Sequence, residues 1–270
     1  MMRVFVAGVG LRAPGLAGWH DGRHILAGCS GYEATEISVP AGDLLPPAER
    51  RRAIPSVRLA LAAGVEAANQ AACDVRVLTM VFATATGDPA TIDAILETLA
   101  SPEREVSPTR FQNSVYNAPA GYWSIATRSH QPSISLSAYD ATASAGLLEA
   151  AVRATVEGCK VGLVIHDLPL LEPLSALRPI GAPFAAALIL DVQADDRTFA
   201  ALDIDFLPEA RDVSRLEDAG LDALRRGTPA ARILPVLVAL ARGLETHVVL
   251  EHTGTGRLGV RVFPDHLGGR

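Results

Sequence analysis

The stretch PSISLSAYDATASAGLLEA, residues 132–150, has the order by which proteins display a nucleophile: a short strand, a sharp turn, then a helix of small residues. A helix N-terminus offers unpaired backbone N–H groups and the positive end of its dipole, which suit an oxyanion or a carboxylate. Yet the turn holds Tyr139 and Asp140, where covalent chemistry wants Cys or Ser with a base beside it. Asp140 has the type and place of an N-cap whose carboxylate accepts from the N–H of Thr142 or Ala143. Tyr139 has the bulk to plug a hole where an acyl chain would enter. Ser144 lies one turn into the helix, where a small serine usually bonds back to the preceding turn and serves packing.

The remaining chemical candidates are weaker. HTGTG, residues 252–256, places His252 in a Gly-rich turn between alternating segments, the pattern of a plain hairpin. GVGLRA, residues 8–13, matches a dinucleotide fingerprint, but Pro14 and Gly15 break the helix that must open there. His20 and His24 are four apart without a third ligand at a useful spacing. Cys29, Cys73 and Cys159 lie far apart, so neither a zinc site nor a disulfide framework is indicated. No metal and no cofactor is expected, and G-x-S-x-G is absent.

Composition bounds the function. The chain has 270 residues, 49% of them hydrophobic and 20% charged, with a net charge of −6. That is ordinary globular composition with room for a large core. Negative charge without an extended Lys/Arg run argues against nucleic acid as a partner. No stretch approaches the roughly 18 apolar residues of a membrane span. The opening MMRVFVAGVG lacks the pattern of a signal peptide. A cytoplasmic α/β protein is expected.

The elements that must position the turn follow from apolar periodicity. Strands are expected at 4–10, 75–85, 133–137, 160–167 and 184–192, with helices between them at about 18–28, 47–72 (broken near Pro55), 88–101, from 118, and after the turn. The helix after the turn carries one polar stripe, Glu149, Arg153 and Glu157, on otherwise small or apolar residues, so it packs closely on several sides. Near-continuous apolar strands alternating with helices imply a sheet covered on both faces. Beyond 192 a smaller β-α-α-β-β segment is expected: a strand at 197–208, helices at 213–226 and 229–243, then a hairpin. The division is thus 1–192 and an appended layer at 193–270.

Four segments in order resemble the N-terminal half of β-ketoacyl-ACP synthases, the condensing enzymes of the thiolase fold. They are VFVAGVGLRAPG with ILAGCSG, RRAIPSVRLALAAGVEAA, SPTRFQNSVYNAPAGYWSIA, and PSISLSAYDATASAGLLEA. The resemblance implies a thiolase-like α/β fold with its N-terminal half complete and its C-terminal half cut short. It sets the family's catalytic cysteine at Asp140, beside Tyr139, and offers no confident match for the family's histidines. It further implies a dimer through the strand before the turn. Phe111, Asn113, Tyr116, Asn117, Tyr122, Trp123, Ser135 and Ser137 would then lie near an interface or an acyl tunnel.

On this resemblance the chain is expected to be a non-catalytic subunit like a chain-length factor. It would shape the acyl tunnel of a β-ketoacyl-ACP synthase in type II polyketide or aryl-polyene assembly. The expected partners are a synthase subunit or a second copy, and acyl carrier protein. Two alternatives stand beside it: an acyltransferase or decarboxylase using Asp140, Ser144 or His252, and a homodimeric module that binds an acyl chain or carrier protein.

Overall fold

A computed structural model describes residues 1–207 and 211–264. In chain order its elements are β1 (Met2–Arg12), α1 (Trp19–Leu26), α2 (Pro47–Arg52), α3 (Pro55–Gln70), β2 (Thr79–Ala83) and α4 (Pro89–Ala100). There follow α5 (Pro108–Asn113), α6 (Ala118–Thr127), β3 (Ser133–Leu136), α7 (Thr142–Glu157) and β4 (Val161–Asp167). The rest are α8 (Leu174–Leu177), β5 (Phe184–Asp191), β6 (Ala200–Leu207), α9 (Ala219–Gly227), α10 (Leu234–Arg242), β7 (Thr246–Glu251) and β8 (Arg257–Pro264).

All eight strands form one mixed sheet in the order β3-β2-β4-β5-β1-β6-β8-β7. β2 runs parallel to both β3 and β4, and every other pair is antiparallel. Thus β6, β8 and β7 extend the sheet beyond β1, while α1, α7 and α10 cover one face and α3 and α6 the other. The helices sit close because glycines let them. A Cβ on Gly8 would meet the Ala67 carbonyl oxygen at 2.1 Å, and one on Gly10 the Ala63 oxygen at 2.0 Å, so any side chain there would push α3 off β1. The same helix feeds the strand's backbone: Gln70 accepts from Val9 N–H at 2.7 Å and Glu66 from Leu11 N–H at 3.0 Å.

α7 packs as its composition requires. Ala143, Ser144, Gly146, Leu147, Ala150, Ala151 and Ala154 are buried, and Arg153 bridges Glu149 at 2.9 Å and Glu157 at 2.6 Å along the polar stripe. β1 runs on to Arg12 without a helix opening after it, so GVGLRA is a strand exit. Several local expectations need correction. The strand expected at 75–85 spans only Thr79–Ala83, after a 3-10 turn at Val75–Val77. The segment before Ala118, where no helix is expected, contains the short α5. The helix expected from 213 starts only at Ala219, where the Asp218 carboxylate caps it by accepting from Leu221 N–H at 2.9 Å. Ser214 instead runs beside β7: its N–H donates to Val249 O at 2.9 Å and its Oγ accepts from Val249 N–H at 3.0 Å. The two ends of the sheet therefore differ. β7 has Ser214 along its outer side, whereas β3 pairs only with β2 among the described residues.

Candidate functional site

β3 ends at Leu136 and the chain turns through Ala138 to a single 3-10 turn, Tyr139–Ala141, from which α7 starts. Tyr139 sits in the left-handed region at φ 54°, a conformation that costs a residue with a side chain on the order of 1–3 kcal/mol and needs support. Thr142 gives part of that support. Its Oγ donates to Tyr139 O at 2.7 Å and accepts from Ala138 N–H at 3.0 Å. A second part comes from outside the turn: the Arg178 guanidinium lies 3.7 Å over the Tyr139 ring, a cation–π contact.

Asp140 is not the helix cap. Its Oδ1 accepts from Arg178 Nη2 at 2.9 Å and its Oδ2 from Arg232 Nη2 at 3.1 Å. Arg232 also pairs through Nη1 with the Glu251 carboxylate. The carboxylate turns away from the helix end because two cations from distant segments outcompete one backbone N–H, as charge-assisted bonds do. Tyr139 is likewise no internal plug; its side chain is exposed, held out by the guanidinium stacked on it.

Ser144 and His252, a pair that sequence spacing cannot join across 108 residues, meet here, with Oγ 2.9 Å from Nδ1. The serine Oγ also lies 2.5 Å from Glu251 O and 3.0 Å from Ala141 O. A hydroxyl has one proton, and two carbonyls compete for it. With that proton on a carbonyl, a serine lone pair faces Nδ1, the arrangement that suits an Nδ1–H tautomer, in which this nitrogen is no base. Burial lowers the His252 pKa, which favours this neutral form. Ser144 is itself buried.

A second buried cluster, missed in the sequence, braces the same end of the sheet. Asp167, last in β4, accepts through Oδ1 from Thr84 Oγ, Ala85 N–H, Thr86 N–H and Thr86 Oγ, and through Oδ2 from Ala230 N–H at 2.8 Å. Burial pushes its pKa up against all these donors. The only signal was an Asp closing an apolar strand, a residue rarely left buried without partners.

The aromatic segment divides. Trp123 and Tyr122 are buried in the chain's own core, the indole edge-on to Phe82 with centroids 6.4 Å apart. Asn113 is buried too, its Nδ2 donating to Arg52 O at 3.0 Å. Phe111 and Tyr116 are exposed, as are Asn117 and Ser137. An open groove of about 860 Å³ runs beside β3, lined among others by Tyr116, Asn117, Gly121, Ser124, Ile134 and Ser135. Ser135 Oγ is buried there without a partner. Cys29 is exposed, and Cys73 and Cys159 are partly buried with thiol pKa values raised by burial. The described residues hold no cluster of metal-ligand side chains, and no helix is long and apolar enough to cross a membrane.

β3, the elbow and the small-residue helix α7 have the order that the resemblance to condensing enzymes implies. Residues 28–227 match the model of the β-ketoacyl synthase N-terminal domain, and the chain belongs to that family. No curated protein matches the sequence. Among solved structures, the chain is similar to one in the complex of the ketosynthase ApeO with its chain length factor ApeC from Xenorhabdus doucetiae. The identity is 20% and the TM-score 0.74, with 97% of this chain and 100% of that one covered. It is also similar to a chain of the ishigamide ketosynthase/chain length factor, at 12% identity and a TM-score of 0.72, covering 98% and 99%. A β-ketoacyl synthase from Burkholderia phymatum STM815 matches at 14% identity and a TM-score of 0.61, covering 91% and 71%. At such identities the likeness is one of fold.

Proposed function

We propose that the protein is a non-catalytic, chain-length-factor-like partner of a β-ketoacyl-ACP synthase in type II polyketide or aryl-polyene-type chain elongation. The observation that carries this reading is the elbow, where a carboxylate locked between two guanidiniums stands at the place the family resemblance gives to the nucleophilic cysteine. An ion-paired aspartate cannot form the thioester that chain extension passes through. Two further features support it. Among the described residues the outer edge of β3 is unpaired and carries neither charge nor proline, which is a template for a partner strand. Chains of two complexes named as ketosynthase with chain length factor share the fold over nearly their full length.

The experiment is co-expression with a β-ketoacyl synthase and an acyl carrier protein from the same genome. The expected outcome is a stable heterodimer that makes product only when both subunits are present. After incubation with acyl-loaded carrier protein, mass spectrometry should find the acyl group on the synthase and none on this chain. Lysines at Ser133 and Ser135 should dissociate the pair. A chain that stays monomeric at micromolar concentration with the synthase present, or that carries the acyl group itself, overturns the reading. Among the described residues the Ser144–His252 contact favours an enzyme, but the serine is buried and its hydroxyl reaches the Glu251 carbonyl, which speak against it.

A further inference from the structure

We propose that Arg178 and Arg232 form a carboxylate-binding site at the elbow, which the chain fills with its own Asp140. Both guanidiniums are largely shielded from solvent, their side chains 22% and 20% exposed, while the Asp140 side chain is 43% exposed. The anion is thus the outer, solvent-facing member and the cations form the seat beneath it. A molecule arriving from solvent would meet the seat where Asp140 now lies.

The seat is also underused. Each arginine gives Asp140 a single nitrogen, although a guanidinium presents five N–H donors in a planar fork shaped for both oxygens of a carboxylate. Arg232 Nε is buried with no partner at all. Arg178 is fixed in place by its stack on Tyr139, and Arg232 by its pairing with Glu251, so the site is organised before any ligand arrives. Asp140 cannot exploit it fully because its short side chain hangs from the 3-10 turn. A free carboxylate has no such tether. The ligand class is a small aliphatic carboxylate, whether free acetate or the terminal carboxylate of a malonyl-type group. In the native chain the tethered carboxylate competes with it at the effective concentration its tether sets. This holds independently of whether the protein partners a synthase.

The test uses the full chain and its Asp140→Ala variant, titrated with acetate and with malonate at constant ionic strength, chloride and acetamide serving as controls. Binding is read by calorimetry and by the shift in melting temperature. The expected result is saturable carboxylate binding by Asp140→Ala at least about tenfold tighter than by the native chain, since a charge-assisted pair becomes available. Malonate should bind as acetate does, and chloride and acetamide should not reproduce the effect. Asp140→Ala/Arg178→Gln and Asp140→Ala/Arg232→Gln should lose it. If Asp140→Ala does not fold, its recovery by acetate but not by chloride supports the proposal equally. Equal binding by the native chain and the variant, binding that survives in both double variants, or a failed fold that acetate does not recover overturns the proposal.

Discussion

Ser144 Oγ and His252 Nδ1 lie 2.9 Å apart, the separation of a serine and its base, but the serine oxygen also faces two carbonyl acceptors, Glu251 O and Ala141 O. Ser144 Oγ donates to Glu251 O at 2.5 Å, so the contact ties the β7–β8 hairpin to the first turn of α7, and a hydroxyl directed at a carbonyl is not one directed at a base. Asp140, Arg232 and Glu251 tie the same two elements through charge.

Ser144→Ala should accordingly change stability and not activity. It removes the serine's bonds to the Glu251 carbonyl and to His252 Nδ1, residues that are only partly buried, a loss of about 0.5–1.5 kcal/mol. Denaturant unfolding measures the loss, and a serine-directed fluorophosphonate should leave the native chain unlabelled. A label on Ser144 would restore the acyl-transfer alternative.

Substitutions at Asp140 separate a cap from an ion pair. Were it a cap, Asn and Ser would be nearly neutral and Ala would cost about 1 kcal/mol. As the anion of a partly exposed two-arginine pair, Asp140 should lose about 0.5–1.5 kcal/mol on change to Ala, with Ser no better than Ala. Raised salt should narrow the difference from the native chain, because screening weakens the pair. Urea titrations of the three variants at low and high salt decide it; a neutral Ser variant would return Asp140 to the cap role.

The sequence made the sheet, the elbow and the small-residue helix readable because each leaves a local pattern: apolar runs in β2, β4 and β5, and Ala, Gly and Ser along α7. The electrostatics were not readable. Arg178 and Arg232 lie 38 and 92 residues from Asp140, and nothing about either arginine's neighbours in sequence marks it as a ligand of the turn. The cap assignment failed for that reason, since local propensity knows only the nearest N–H groups. The aromatic segment failed differently. Four aromatics in thirteen residues looked like one feature, but α6 turns Tyr122 and Trp123 into the core while Phe111 and Tyr116, outside that helix, stay exposed.

His166 makes stability depend on pH. It is fully buried with neither ring nitrogen bonded, and burial lowers its pKa from 6.5 to about 4. The unfolded chain then binds a proton that the folded one refuses, so stability is full above pH 6.5 and falls as the pH drops from there toward 4. The size is on the order of 2–4 kcal/mol. Asp167 next to it works in the opposite sense: its raised pKa contributes stability at low pH that is lost as the carboxyl ionises. Unfolding of His166→Leu between pH 4 and 7 should show a flatter profile than the native chain. An unchanged slope would assign the acid sensitivity to other groups.

Tyr116 and Trp123 should respond to truncation in unlike ways. Trp123 is 2% exposed, beside Gly64 and Val164, so its change to Ala should cost about 3–5 kcal/mol by opening a cavity. Any effect on a reconstituted synthase pair would then be lost yield from unfolded subunit, with product length unaltered. Tyr116 is 52% exposed, rests against Gly87 and lines the groove beside β3, so its change to Ala should leave the isolated chain within about 0.5 kcal/mol of native. If its ring limits the space open to a growing chain across the interface, Tyr116→Ala should shift products toward longer ones, each further buried CH₂ being worth about 0.8 kcal/mol. If it serves only to hold the partner, the variant should weaken association and leave the length distribution where it was, because an interface anchor acts on affinity. Product chain lengths and heterodimer affinity measured on the same Tyr116→Ala preparation distinguish the two, and weaker association at unchanged length would remove Tyr116 from the gating role.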